Sequence, residues 1–198
     1  MKPVGVLALQ GGVSEHENML RQVGASTVRV RSPEQLSGVS ALVLPGGEST
    51  TLISLLDRWG LTAPLVELGG KGLPMLGTCA GAILLCSMVS EAEHTVDQRS
   101  LGLADVRVVR NSFGRQVRSF MADLSIRGLS SPFPGVFVRA PLLEPLSDRV
   151  EVLCSIAEGA VLLRQGCIWL SSFHPELTPD TRLHRLFLQS SGLLREGT

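Results

Sequence analysis

Cys79 stands in the run GTCAG, with Gly77 two residues before it, Gly81 two residues after it, and apolar stretches on both sides. A thiol that only fills a core needs neither glycine. A thiol presented on a tight strand-to-helix turn needs both, because the turn strains the backbone and leaves no room for flanking side chains. Such a turn also sets the sulfur at a helix N-terminus, where the dipole favours thiolate. The next amide, that of Ala80, then points towards the place where an oxyanion would develop. The chemistry implied is nucleophilic attack on a carbonyl carbon. Cys86, Cys154 and Cys167 lie inside apolar patterns and read as small buried hydrophobes.

A nucleophilic thiol needs a base, and the base needs an orienting group. His174 is the best placed of the four histidines, in SSFHPEL straight after the apolar CIWL. In an extended chain, residues two apart point the same way, so His174 and Glu176 share a side. Pro175 between them fixes the backbone. Taken alone, HPE reads equally well as a chance turn; beside an elbow cysteine it reads as base and orienter. His94, in the polar SEAEHTVDQ, reads as a solvated loop residue, and His184, in the last helix, as a surface or packing residue. His16 follows the first glycine turn; a place at the site edge is open to it, and a helix-surface role is favoured. The turn PGGEST adds Gly46 and Gly47, which permit close backbone approach to a ligand, with the Gly47 amide as a second oxyanion donor. Glu48 and Ser49 either face that ligand or form the first turn of a helix, two compatible roles.

These residues need a scaffold that gathers them. VGVLAL (residues 4–9) and ALVL (41–44) are continuous apolar runs, as expected of strands covered on both faces, and TVRVR (27–31) alternates. Ser14 and Glu17 have capping-box spacing ahead of a helix with Met19, Leu20 and Val23 on its apolar face. A second helix follows PGGEST, with Leu52, Leu55 and Leu56 inward and Gly60 past its end. LPML is a further strand, leading through GTCAG into an apolar helix AILLCSMV (82–89). Strand, turn and helix in repetition predict a parallel sheet with helices on both faces. Ligands then bind beyond the carboxyl ends of the strands, where QGG, PGGEST and GTCAG should meet. The second half changes to short strands, LADVRVV, GVFVRA, RVEVLCSI, AVLLRQG and CIWLSSF, with hairpins around Glu158–Gly159 and Gln165–Gly166. Thr178 as N-cap and Pro179 at the first position open a last helix with Leu183, Leu186 and Phe187 inward. The expectation is a single domain over residues 1–198: a three-layer, open, mostly parallel α/β sheet with antiparallel additions in the second half.

Composition limits the alternatives. With 18 basic and 18 acidic residues the formal charge is zero, which gives no general attraction to nucleic acid or an anionic membrane. No cysteine spacing suits zinc, and with no tyrosine a phenol cannot serve as acid or base. The longest apolar stretch is interrupted by Pro74, Gly77, Thr78 and Gly81 and is not a membrane span. The N-terminus lacks a signal-type cleavage site. A soluble, reducing, cytoplasmic setting is expected. PGGEST has no lysine where a phosphate loop needs one, which argues against a nucleotide binder.

GTCAG, PGGE and a late HPE together resemble the class I, triad-type glutamine amidotransferases, whose sheet is flavodoxin-like. LALQGGVSEHE, ALVLPGGESTT, LGTCAGAILL, RNSFGRQ, VFVRAP and SFHPEL, in that order, resemble the glutaminase subunit of pyridoxal 5′-phosphate synthase from the first strand almost to the last helix. The resemblance implies that Cys79 attacks the side-chain amide of L-glutamine to form a glutamyl thioester, that His174 moves the protons, and that Glu176 holds His174. It implies oxyanion donors at Gly47 and Ala80, and glutamine bound among Gly47, Glu48, Ser49, Arg110, Val138 and Arg139. An arginine suits that task, since its guanidinium pairs with a carboxylate. Arg107, Arg115 and Arg118 form either a solvated basic face or a docking patch, docking being weakly favoured. The resemblance further implies a partner: a barrel-shaped synthase subunit in a large hetero-oligomer, which receives the ammonia through a tunnel and awakens the glutaminase on docking. It implies no cofactor or metal for this chain. Two positions depart from the family pattern, Gly12 and Met121, and neither belongs to the triad. Other readings are another enzyme on this fold, either a glutaminase subunit for a different synthase or a cysteine-elbow hydrolase, and an inactive scaffold; RNSFGRQ argues against the first and the intact Cys79, His174 and Glu176 against the second.

Overall fold

The computed structural model of the chain describes residues 2–91, 94–95, 98–110 and 119–195. Its first half is built of strand–helix units: β1 (Val4–Leu7), α1 (Val13–Gln22), β2 (Thr27–Val30), α2 (Pro33–Ser37), β3 (Ala41–Leu44), α3 (Ser49–Arg58), α4 (Thr62–Gly70), β4 (Met75–Thr78) and α5 (Ala80–Leu85). The second half contributes β5 (Cys86–Glu91), β6 (His94–Thr95), β7 (Ala104–Arg110), β8 (Ser119–Leu124), β9 (Phe133–Val138), β10 (Leu142–Pro145), β11 (Glu151–Ile156), β12 (Gly159–Gln165) and β13 (Ile168–Ser171). A 3-10 turn (Pro175–Leu177) and α6 (Arg182–Ser190) close the described chain.

Among the described residues, eleven strands form one mixed sheet in the order β2-β1-β3-β4-β13-β12-β10-β7-β5-β6, with β11 paired to β12, and β8 and β9 form a separate hairpin. The block β2-β1-β3-β4-β13 is parallel throughout. Beyond it the pairings are antiparallel except for β5 with β7. This is the expected open, three-layer α/β sheet with antiparallel additions. The hairpins expected around Glu158–Gly159 and Gln165–Gly166 join β11 to β12 and β12 to β13.

The central strands serve two cores because their side chains alternate. Leu7, Leu42, Leu44 and Met75 face a core covered by α2, α3, α4 and α5. Val4, Val6, Ala41, Val43 and Leu76 face the other, covered by α1, α6 and the β8–β9 hairpin. On that second side the fully buried Trp169 meets Phe187 of α6 edge-on at 6.1 Å, and Phe173 meets Phe133 and Phe137.

Four local expectations are corrected. The helix after GTCAG ends at Leu85, and Cys86–Glu91 is a strand instead of the rest of AILLCSMV. The competing factor is pairing: Cys86 turns extended, and the segment joins β7 in parallel register. α1 carries no side-chain cap. Ser14 and Glu17 both receive the guanidinium of Arg29 from β2. α6 starts at Arg182 behind Thr181, while the Thr178 hydroxyl is used in the preceding turn, accepting from the Asp180 amide. His94 lies in the two-residue strand β6, opposite Glu91, and not in a loop.

Phe187→Ala should remove about 3–5 kcal/mol of stability, since it empties a fully enclosed aromatic site beside Trp169. Urea unfolding measures this, with a lower midpoint and an unchanged m-value expected.

Candidate active site

The parallel block sends four chain segments out of one edge. β1 ends in Gln10–Gly11–Gly12, β3 in Pro45–Gly46–Gly47, β4 in Cys79, and β13 in Phe173–His174. Register brings the last two together. Thr78 lies opposite Ser171, so the residues that follow leave the sheet side by side. The Cys79 amide donates to the Ser171 carbonyl at 2.7 Å and ties the two exits to each other.

Cys79 sits at the N-cap of α5 with φ +51° and ψ −106°, a conformation that costs a non-glycine residue roughly 1–3 kcal/mol. Both flanking glycines are required, though for a reason different from crowding of the cysteine. A Cβ on Gly77 would stand 2.4 Å from the Gly81 carbonyl oxygen, and one on Gly81 would stand 1.9 Å from that of Leu44. The turn is wedged between its own helix and β3.

His174 hangs over Gly46, where a Cβ would come within 2.6 Å of its Cε1. Its Nδ1 and Glu176 Oε1 are 2.8 Å apart, and the Cys79 thiol is within hydrogen-bonding reach of the ring. Burial works against a charged imidazole here. The thiol and the Glu176 carboxylate outweigh it and raise the affinity of His174 for a proton. Burial likewise works against ionised Glu176, yet His16 and His174, which face it, hold its carboxyl below the usual range. The backbone of the turn is pinned by a 2.8 Å bond from the His174 amide to the Val136 carbonyl of β9.

A cleft of about 460 Å³ opens over this group. Gly47, Glu48, Ser49, Cys79, Ala80, Arg110, Val138, Arg139 and His174 all line it, so the site residues read from the sequence converge there. Glu176 lies behind His174, nearly enclosed. Arg139, directly after β9, adopts φ +46°. Arg110, at the end of β7, donates to Gln98 Oε1 at 2.7 Å. Glu48 is the N-cap of α3, its carboxylate accepting from the Thr51 amide at 2.8 Å and from the hydroxyls of Thr50 and Thr51. Of the basic residues considered for docking, Arg107 pairs with Glu144 across the β7–β10 ladder, and Arg115 and Arg118 lie outside the described residues. A second hollow of about 500 Å³ lies between 125–132 and 152–155, and burial pushes its one thiol, Cys154, up in pKa.

Gln10 escaped sequence reasoning, and His16 takes the less favoured of its two readings, a place at the site edge. Gln10 braces the PGG turn: its Oε1 accepts from the Glu48 amide at 2.8 Å, and a Cβ on Gly47 would meet it at 2.7 Å. His16 is not on a helix surface. It is fully buried against Glu176 and Thr78, with the equally buried His184 behind it. The signal was present in the helical spacing. His16 shares a face with Leu20 and Val23, and His184 with Phe187 and Leu188.

Comparison with known proteins places this sheet, elbow and cleft among the glutamine amidotransferases. A solved crystal structure of a glutamine amidotransferase is 46% identical and superposes with a TM-score of 0.88, over 96% of this chain and 98% of that one. The SNO glutamine amidotransferase family matches residues 6–192, and the chain belongs to that family. Pyridoxal 5′-phosphate synthase subunit PdxT of Pelotomaculum thermopropionicum is 52% identical over 187 residues, 94% of this chain and 93% of that protein. Its counterpart from Deinococcus radiodurans is 48% identical over 190 residues, 96% and 97% of the two chains. No helix among the described residues is long and apolar enough to cross a membrane.

The Glu48 cap predicts a pH-dependent contribution to stability. Its acceptor bonds from Thr50 and Thr51 depress the carboxyl from 4.5 to about 2, so the contribution is complete above pH 4.5 and disappears as pH falls towards 2. Glu48→Ala should cost about 1 kcal/mol at pH 7. Thermal melts from pH 7 down to pH 2.5 should show the gap from the parent narrowing below pH 4.5.

Proposed function

We propose that this chain is one amidotransferase domain over residues 1–198 that hydrolyses L-glutamine to L-glutamate and ammonia, and hands the ammonia to a pyridoxal 5′-phosphate synthase subunit. The observation that carries the reading is Cys79, strained onto the N-cap of α5 and facing a His174 that is backed by Glu176.

The chemistry follows from those contacts. The Cys79 thiolate adds to the amide carbon, and the tetrahedral oxyanion is met by the amides of Ala80 and Gly47. His174, charged because Cys79 and Glu176 stabilise its proton, delivers that proton to the leaving nitrogen. The C–N bond breaks, ammonia departs, and a glutamyl thioester remains on Cys79. His174, now neutral, takes a proton from water as its oxygen attacks the thioester. The C–S bond breaks, the Cys79 thiolate is restored beside the charged His174, and the new carboxyl group passes its proton to solvent to leave as glutamate. Arg110 and Arg139, which line the cleft, are suited to the α-carboxylate, with Glu48, Ser49 and Val138 shaping the rest of the pocket.

The partner is inferred from the relatives, which are named as subunits of pyridoxal 5′-phosphate synthase. Ammonia released into neutral water is protonated and no longer nucleophilic, so transfer within a hetero-oligomer keeps it useful. A glutaminase that stays weak until the synthase barrel docks avoids wasteful hydrolysis. The reading places the enzyme in the cytoplasm, with L-glutamine as its small-molecule substrate and no nucleic-acid or membrane partner.

Glutamate release is the deciding assay, run on this protein alone, with a pyridoxal 5′-phosphate synthase barrel subunit, and with Cys79→Ala as the blank. Strong stimulation by the barrel is expected, with at least about 10³-fold loss in the variant. No release in either condition from a folded protein would overturn the glutaminase reading.

A further inference from the structure

The HPE turn rests on a buried histidine pair that the reaction does not use directly. His16 of α1 and His184 of α6 are both fully enclosed, and His16 Nδ1 lies 2.9 Å from His184 Nε2. The other nitrogen of His16 lies 3.2 Å from Thr78 Oγ1 and 3.3 Å from Glu176 Oε2. Glu176 therefore has one oxygen on His174 and the other facing His16. The His16 ring is aligned on Thr78, so Oε2 lies beside the N–H without a directed hydrogen bond, and among the described residues it has no other polar partner.

The network fixes the protons. A bare Nε2 on His16 would set its lone pair against the Glu176 carboxylate, so this nitrogen carries hydrogen. Nδ1 is then an acceptor and takes the hydrogen bond of His184 Nε2–H. That leaves His184 Nδ1 bare, which matches its lack of a partner among the described residues. Neither ring is charged at neutral pH. Burial depresses His16 despite the nearby carboxylates of Glu176 and Glu15, with His174 adding to the effect, and burial and His16 depress His184 to about 3. The pair thus offers Glu176 an N–H dipole without a competing charge. An ionised carboxylate this enclosed needs such support to stay ionised.

We propose that His16 is a positioning residue: its Nε2–H, held in that tautomer by His184, keeps Glu176 ionised and aimed at His174 Nδ1. This rests on the triad reading above. Through Glu176 it acts on the charge of His174, and through His174 on the reactivity of Cys79. The contact to Thr78, the residue before Cys79, makes the same ring a brace for the elbow.

The test uses the full-length chain and two readouts that need no glutaminase activity. The first is the rate of iodoacetamide alkylation of Cys79 against pH, followed by mass spectrometry of the Cys79 peptide. His16→Leu fills a similar volume without a donor, and His16→Gln restores an amide N–H near the Nε2 position. His16→Leu should move the rising limb of the profile upward by about half a pH unit, a threefold slower reaction at fixed pH on that limb. His16→Gln should return most of it. In the assay with the synthase barrel, the same loss should fall on kcat with KM unchanged. The second readout is long-range ¹H–¹⁵N NMR of the unmodified protein, which needs no variant to fold. It should show His16 and His184 neutral and protonated at Nε2 from pH 6 to 8. An unshifted alkylation profile in a folded His16→Leu protein would overturn the inference. So would equal losses in the Leu and Gln variants, or a charged or Nδ1-protonated His16. A shifted and rescued profile without glutamate release would leave the inference standing and remove the glutaminase reading.

Discussion

The left-handed backbone of Cys79 is the constraint around which the rest of the site is arranged. It sets Cys79 at the start of α5, where this residue and Ala80 line the cleft. No local interaction makes this conformation favourable. It is sustained because Gly77 and Gly81 let helix and strand close to backbone contact, and because the Cys79 amide is bound to Ser171 on the neighbouring strand. The strain is carried by two fully buried strands, where the sheet ladder and both cores resist any relaxation.

A second constraint is electrostatic. Glu176 is a carboxylate with almost no contact with water, and such a group is tolerated only where donors replace the lost solvent. His174 supplies one in front and His16 faces the other oxygen from behind. His16 comes from α1 and is backed by His184 of α6, so the helical layer opposite α5 reaches the site as well as burying the sheet. The packing of Phe187 and Trp169 on that side holds α6, and with it His184, in place.

The two halves of the sheet divide the work. The parallel block presents turns from several strands at one edge, giving the nucleophile, the glycine turns and the HPE segment a common exit. The antiparallel part and the β8–β9 hairpin wall the cleft with Arg110, Val138 and Arg139. Strand β13 belongs to both, antiparallel to β12 and parallel to β4, and this dual pairing is what carries His174 to Cys79.

The sequence by itself determined what depends on near neighbours along the chain. Apolar runs marked β1, β3 and β4, paired glycines marked the elbow, and the His174–Glu176 spacing marked a base with its orienter; all of these need only a few residues of context. Motif order identified the family, and the residues read as its site line a single cleft with Glu176 behind it. Only the tertiary structure decided which strand lies beside β4, because register between segments about 90 residues apart is set by pairing and core packing. The same cause ended α5 at Leu85, where the ladder with β7 outweighed the helical run of apolar residues. It also buried His16 and His184 against each other, though they are 168 residues apart in sequence. A polar residue on an apolar helix face has two outcomes, exposed or satisfied, and only the opposing layer supplies the partner that selects between them.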